Sequence, residues 1–175
     1  MARQRSPQAT APLPGSGVTG VPNPTLIPGV EQIKDFVGQE LGKSDWVAIT
    51  QERIDTFAEA TGDRQWIHCD VERARRESPF ETTIAHGYLT ISLAPVLLAE
   101  LVIVEKCGSV INTGIEKLRL STPVLSGSRV RMSAKLMGAR NVPRGGVRAT
   151  FFIRFETDGA TKPACHAHVT YVYFP

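Results

Sequence analysis

The sequence predicts an α+β fold in which an antiparallel sheet wraps around a central apolar helix. The first observation is the stretch from Gly87 to Val104, almost wholly apolar and interrupted mainly by Ser92, Pro95 and Glu100. A helix that is hydrophobic nearly all round belongs in a core. The second is the change of pattern after Gly108, where residues 110–124, 129–140, 147–156 and 165–174 are rich in β-branched and aromatic side chains. Ser126-Gly127, Pro143-Arg144-Gly145-Gly146 and Asp158-Gly159 separate these stretches, and short Gly-rich turns of this kind build hairpins. One helix followed by a run of strands is an α+β layout.

The elements follow in order along the chain. Residues 1–30 hold six of the twelve prolines, four glycines and only two charged side chains, Arg3 and Arg5. Such a segment buries too little apolar surface to offset its ordering entropy, so it reads as a disordered tail or an over-long start. It has no apolar signal-peptide core, and its prolines work against a transit helix. A single domain is therefore expected over residues 31–175. Ile33, Phe36 and Val37 have helical spacing until Gly38 interrupts it, and Trp46-Val47-Ala48-Ile49 reads as a short strand. Thr50 can cap a helix whose apolar face is Ile54, Phe57, Ala58 and Thr61, and Gly62 stands where a helix-ending glycine belongs. Asp63 then opens an irregular loop. Asp70 can cap a second helix through Arg76, with Glu72, Arg73, Arg75 and Arg76 as a solvated face or a phosphate contact. In the central helix, Pro95 predicts a kink. Near the C-terminus Cys165, Ala167, Val169 and Tyr171 alternate with His166, His168 and Thr170, so each set shares a face.

A length of 175 residues, 42% hydrophobic and 21% charged, suits one soluble domain able to bury a core without staples. The net charge is +3, and no basic run is interleaved with aromatics, which argues against nucleic-acid binding. The apolar helix contains a proline and a carboxylate and falls short of a clean bilayer span, so no membrane insertion is expected. Cys69, Cys107 and Cys165 are odd in number and lack CxxC spacing, which excludes a disulfide framework and a zinc knuckle and fits a reducing cytoplasm. Cys69 beside His68 reads as a small half-buried residue rather than a nucleophile. His166 and His168 lack the further ligands a metal would need. No metal, flavin or nicotinamide motif is present, and no cofactor is expected.

The chemistry-bearing feature is Gly62-Asp63-Arg64-Gln65-Trp66-Ile67-His68, followed by Ile84-Ala85-His86-Gly87. A carboxylate and an imidazole five residues apart can converge on one small volume as an acid–base pair. Gly87, at the start of the apolar helix, has a bare backbone that a ligand can approach closely, and its N–H can meet a developing oxyanion. His86 is either a loop anchor or a substrate contact. Ser92, one turn into the helix, either lines a tunnel or bonds its own backbone.

These segments, together with Ala60-Thr61 before them, Cys69-Asp70, Phe80, Thr83, Tyr88-Leu89 and the later Leu120-Ser121-Thr122-Pro123-Val124 with Gly127, resemble the hydratase motif of MaoC-like dehydratases. Those are (R)-specific enoyl-thioester hydratases of the hot-dog fold, and the similarity spans roughly residues 40–175. Many relatives carry Asn-Pro where this chain has Gln65-Trp66, positions that shape the loop between acid and base. The resemblance implies Asp63 and His68 as the catalytic pair and a trans-2-enoyl thioester of coenzyme A or acyl carrier protein as substrate. The product would be the (R)-3-hydroxyacyl thioester, and a homodimer would cover the edge strand. A hot-dog thioesterase, or a non-catalytic acyl-thioester-binding subunit, would share much of this pattern. The pair favours the hydratase.

Overall fold

Thr25–Ile27 (β1) lead into a short 3-10 helix, Glu31–Phe36, and then into Glu40–Lys43 (β2) and Val47–Ala48 (β3). The structure, a computed structural model, describes residues 23–175. Three helices follow: Gln51–Thr61 (α1), Trp66–Cys69 (α2) and Val71–Glu77 (α3). The apolar stretch forms Gly87–Ser92 (α4) and Ala94–Leu101 (α5) and runs into Val102–Val104 (β4). Four long strands complete the chain: Ser109–Leu120 (β5), Arg129–Val142 (β6), Gly146–Thr157 (β7) and Cys165–Phe174 (β8).

The main sheet has six strands in the order β2-β6-β7-β8-β5, with β3 also paired to β6, and these pairings are antiparallel. Its inward face is set by strict alternation. Met132, Ala134 and Leu136 of β6, Phe151, Ile153 and Phe155 of β7, and Ala167 and Val169 of β8 are buried. Leu89, Ile91, Leu97, Leu98 and Leu101 of the central helix join them in one core cluster. Each such large side chain contributes roughly 1.5–3 kcal/mol by leaving water. This is the expected sheet around a central apolar helix. The outward positions carry Arg154, His166 and His168, and the two imidazoles flank Phe152 at 6.0 and 5.7 Å. Among the described residues, no helix is long and apolar enough to cross a membrane.

Local signals at the caps are met. The Thr50 hydroxyl accepts from the Arg53 N–H, and Asp70 does the same for Arg73. Gly62 ends α1 in the left-handed region, φ 78°, with its N–H on the Ala58 carbonyl.

Four expectations change. The folded body begins before residue 31: β1 pairs in parallel with β4, and Ile27 and Val30 are buried in the core. Composition hid this because the strand is three residues long and flanked by prolines. The part of the expected tail before residue 23 lies outside the described residues. Next, the central helix is two short helices that meet at Leu93, rather than one kinked rod. Pro95 has no N–H to offer the preceding turn, so it sits in the first turn of α5. The apolar run also ends as strand, since β-branched Val102, Ile103 and Val104 find a partner in β1. Finally, β5 stops at Leu120 and pairs with β8, not with its neighbour in sequence β6, so the strands are not a simple meander. Ser121 and Thr122 leave the ladder to donate to the Ala164 carbonyl, and Pro123 cannot continue it.

Candidate functional site

The left-handed turn at Gly62 reverses the chain at the end of α1 and releases Asp63 into the loop before α2, with its carboxylate 46% exposed. Only one turn later α2 carries His68 inward, where it is buried. Opposite lies the segment 83–87, whose backbone is bonded to both sides of the site. Ile84 N–H donates to the Ile67 carbonyl at 3.0 Å, and Ala85 N–H donates to Val124 at 2.7 Å. The five-residue spacing thus becomes a short loop and a single helical turn facing a second strap of backbone.

His68 Nδ1 stands 2.7 Å from the Ile84 carbonyl oxygen. A carbonyl can only accept, so Nδ1 carries the proton and Nε2 keeps its lone pair. Burial pushes the His68 pKa below the ordinary histidine value, and neighbouring His86 pushes the same way. The Ile84 carbonyl and the Asp63 charge oppose them. The result is an imidazole held neutral with an acceptor nitrogen available. A carboxylate oxygen of Asp63 and one ring nitrogen each of His68 and His86 lie within 4.8 Å of one another. One water can bridge groups at that separation, since two hydrogen bonds of about 2.8 Å span it.

His86 is buried, its Nε2 is 2.8 Å from the Asp63 carbonyl oxygen, and its ring stacks on His68 with centroids 3.8 Å apart. The three side chains are also the group among the described residues spaced to hold a metal ion. Two of their ring nitrogens already face carbonyls, so an ion would be left the carboxylate and the remaining nitrogens.

Beside this cluster is a cavity of about 310 Å³ whose walls include His68, Ala85, Gly87, Thr90, Leu120 and Ser121–Val124. Gly87 opens α4, so its N–H has no partner within the helix and is free to meet a ligand. α4 spans only six residues, so the helix dipole behind that amide is small. Ser92 does not line the cavity: it is exposed and donates to the Leu89 carbonyl at 2.7 Å, the backbone bond left open by the sequence. Asp63 and His86 stand beside the cavity rather than among its wall residues. The neighbouring thiols are poor nucleophiles, since burial raises the pKa of Cys69 and pushes Cys165 up to about 12.

One contributor escapes sequence reasoning. Gln51 donates to the His68 carbonyl at 2.8 Å and accepts from the buried hydroxyl of Thr83, so it ties the start of α1 to both halves of the site. Nothing in its spacing marks it. Thr83 belongs to the segment that carries the resemblance, and its bond to Gln51 gives it a role that the sequence did not.

Comparison with known proteins gives the family. A family model described as MaoC like domain matches residues 32–150. The chain is 47% identical over 138 residues to 3-hydroxyacyl-thioester dehydratase Z of Mycobacterium tuberculosis, covering 79% of this chain and 91% of that protein. It is 38% identical over 140 residues to nodulation protein N of Rhizobium leguminosarum bv. viciae, covering 79% and 87%. Among solved structures, an (R)-hydratase from A. caviae involved in PHA biosynthesis superposes with a TM-score of 0.64 at 25% identity, over 79% of this chain and 96% of that one. With the family model spanning well over half of its length, this chain belongs to the MaoC-like domain family.

Proposed function

We propose that this protein is a hydro-lyase that reversibly hydrates trans-2-enoyl thioesters to (R)-3-hydroxyacyl thioesters. The observation that carries the reading is the gathering of Asp63 and of a His68 whose Nδ1 is held by the Ile84 carbonyl, beside a cavity walled by His68 and Gly87. The names of the relatives, a 3-hydroxyacyl-thioester dehydratase and an (R)-hydratase, support the same chemistry.

In this mechanism a water sits between the Asp63 carboxylate and His68 Nε2. The carboxylate accepts one O–H and orients the water, while Nε2 takes the other proton as oxygen attacks the β-carbon. Charge moves to the thioester carbonyl oxygen, where the Gly87 N–H receives it. The imidazolium then returns its proton to the α-carbon, so one water is added and both residues end as they began. The reverse order dehydrates. Acid–base help of this kind contributes about 10²–10⁴ in rate.

Crotonyl-CoA is the direct test. Loss of the enoyl absorbance without release of free thiol is the expected result. Thiol release would instead identify a thioesterase, and neither change would leave a binding subunit. The carrier is coenzyme A or an acyl carrier protein, and the three free thiols suit a cytoplasmic setting.

The working unit in this reading is a homodimer. Strand β5 ends the sheet, and Val110, Ile111, Ile115 and Leu120 along it are each about half exposed. An uncovered apolar edge of that length favours pairing with a second copy. Light scattering on a gel-filtration peak should report twice the 19.1 kDa chain mass.

A further inference from the structure

His86 is bonded in a way that a packing residue does not need to be. Its Nε2 lies 2.8 Å from the Asp63 carbonyl oxygen, so that nitrogen carries the proton. Its Nδ1 is buried with no partner among the described residues. A phenylalanine would fill the same space against Phe57, whose ring is 5.1 Å away, without burying an unpaired nitrogen. The compensating feature is a crossed pair of bonds. The loop of the acid lends its Asp63 carbonyl to His86, and the strap of His86 lends its Ile84 carbonyl to His68. Between these bonds the two imidazoles stack at 3.8 Å with 28° between planes. Asp63 itself stands in an irregular loop and is otherwise weakly held, with its carboxylate 46% exposed.

We propose that His86 is a positioning residue: its Nε2 is committed to the Asp63 carbonyl and stands 4.0 Å from the carboxylate, and it fixes the gap between that carboxylate and the His68 imidazole. The N–H to the Asp63 carbonyl sets the loop, and the stacked ring sets the plane of His68. This inference rests on Asp63 and His68 forming the acid–base pair. It goes beyond the two roles the sequence left open, since the residue neither merely anchors a loop nor contacts substrate.

The test compares His86→Phe with His86→Gln, whose amide nitrogen can reach the same carbonyl. Initial rates with crotonyl-CoA are normalised to folded protein by circular dichroism. His86→Phe should lower kcat by at least about tenfold with KM within about twofold, and His86→Gln should recover most of the loss. In a His68→Gln background, His86→Phe should cost little more, because the ring it positions is gone. A Phe variant with normal kcat per folded molecule overturns the proposal. So does one that fails to fold, a rise in KM at unchanged kcat, a Gln variant as impaired as Phe, or full additivity with His68→Gln. Wild-type protein inactive on crotonyl-CoA, or an active His68→Gln variant, would instead remove the acid–base reading itself.

Discussion

A Cβ placed on Gly87 would overlap Cδ1 of Leu120 and lie 3.1 Å from its Cδ2. The glycine is therefore not required by a left-handed backbone, since Gly87 is absent from the positive-φ positions among the described residues. It is required by close approach, and the first atoms it meets belong to its own chain. The overlap is with the far end of the Leu120 side chain and not with backbone, so Gly87→Ala should change stability by no more than about 1 kcal/mol. Rotation pushes Leu120 toward the cavity it shares with Gly87, and turnover should drop. The double variant Gly87→Ala/Leu120→Ala should regain at least about fivefold over Gly87→Ala alone. Urea midpoints and initial rates for wild type, Gly87→Ala, Leu120→Ala and the double variant decide this. No recovery would mean that the substrate itself needs the bare α-carbon.

Asp63→Asn and His68→Gln should each lower hydration by at least about a hundredfold with the fold intact. The shared water explains why either loss suffices. Far-ultraviolet circular dichroism and steady-state rates check both halves of the statement. Near-normal turnover at either position would remove that residue from the mechanism.

The buried His68 also predicts a pH dependence. Its folded pKa lies below the ordinary histidine value of 6.5, chiefly because burial disfavours the charged form. The acid limb of kcat/KM should accordingly lie below pH 6.5, where free histidine would already be half protonated. The stability sign follows by linkage. Below the unfolded pKa the unfolded chain binds the proton more readily, so wild-type stability falls as pH drops from about 6.5 towards the folded pKa. His68→Gln should flatten that part of the curve. Urea midpoints for both proteins between pH 7.5 and 5, roughly the histidine window, would show it. Parallel curves would mean that His68 is not desolvated in solution.

Much of this was legible in the residues because the signals were local. Thr50 and Gly62 bracket α1 through side-chain capping and a left-handed turn, which need no distant partner. The alternation along β8 shows which side chains face the core. Order in the sheet was not legible, because β5 pairs with β8 through contacts more than forty residues apart for most of its length. At the site, the Asp63–His68 spacing and the Ile84–Gly87 strap could be read, yet their joining could not. That depends on Ala85 bonding Val124 and on Gln51 reaching Thr83, links made only after folding. Ser92 misled because a serine in an apolar helix looks like a lining residue until its bond to Leu89 is seen.

The strand missed at the N-terminus gives the last prediction. Thr25, Leu26 and Ile27 pair in parallel with Val102, Ile103 and Val104, and the Glu105 N–H donates to the Ile27 carbonyl at 2.8 Å. Ile27 is 1% exposed and Val30 is 5% exposed, both within the main core cluster. Deleting residues 1–30 would strip those side chains and leave β4 without its partner. Deleting residues 1–22 would spare them. We expect the shorter deletion to move the melting temperature by less than about 2 °C and the longer one to lower it by at least about 5 °C. Ile27→Ala isolates the packing part and should cost about 2–4 kcal/mol through lost burial and the cavity left behind. Because β4 continues directly from α5, loosening it should also reach α5 and, through Leu93, the α4 helix that begins at Gly87. Activity of the longer deletion should therefore fall at temperatures well below its melting midpoint. Equal midpoints for the two deletions would show that residues 23–30 add nothing to the fold in solution.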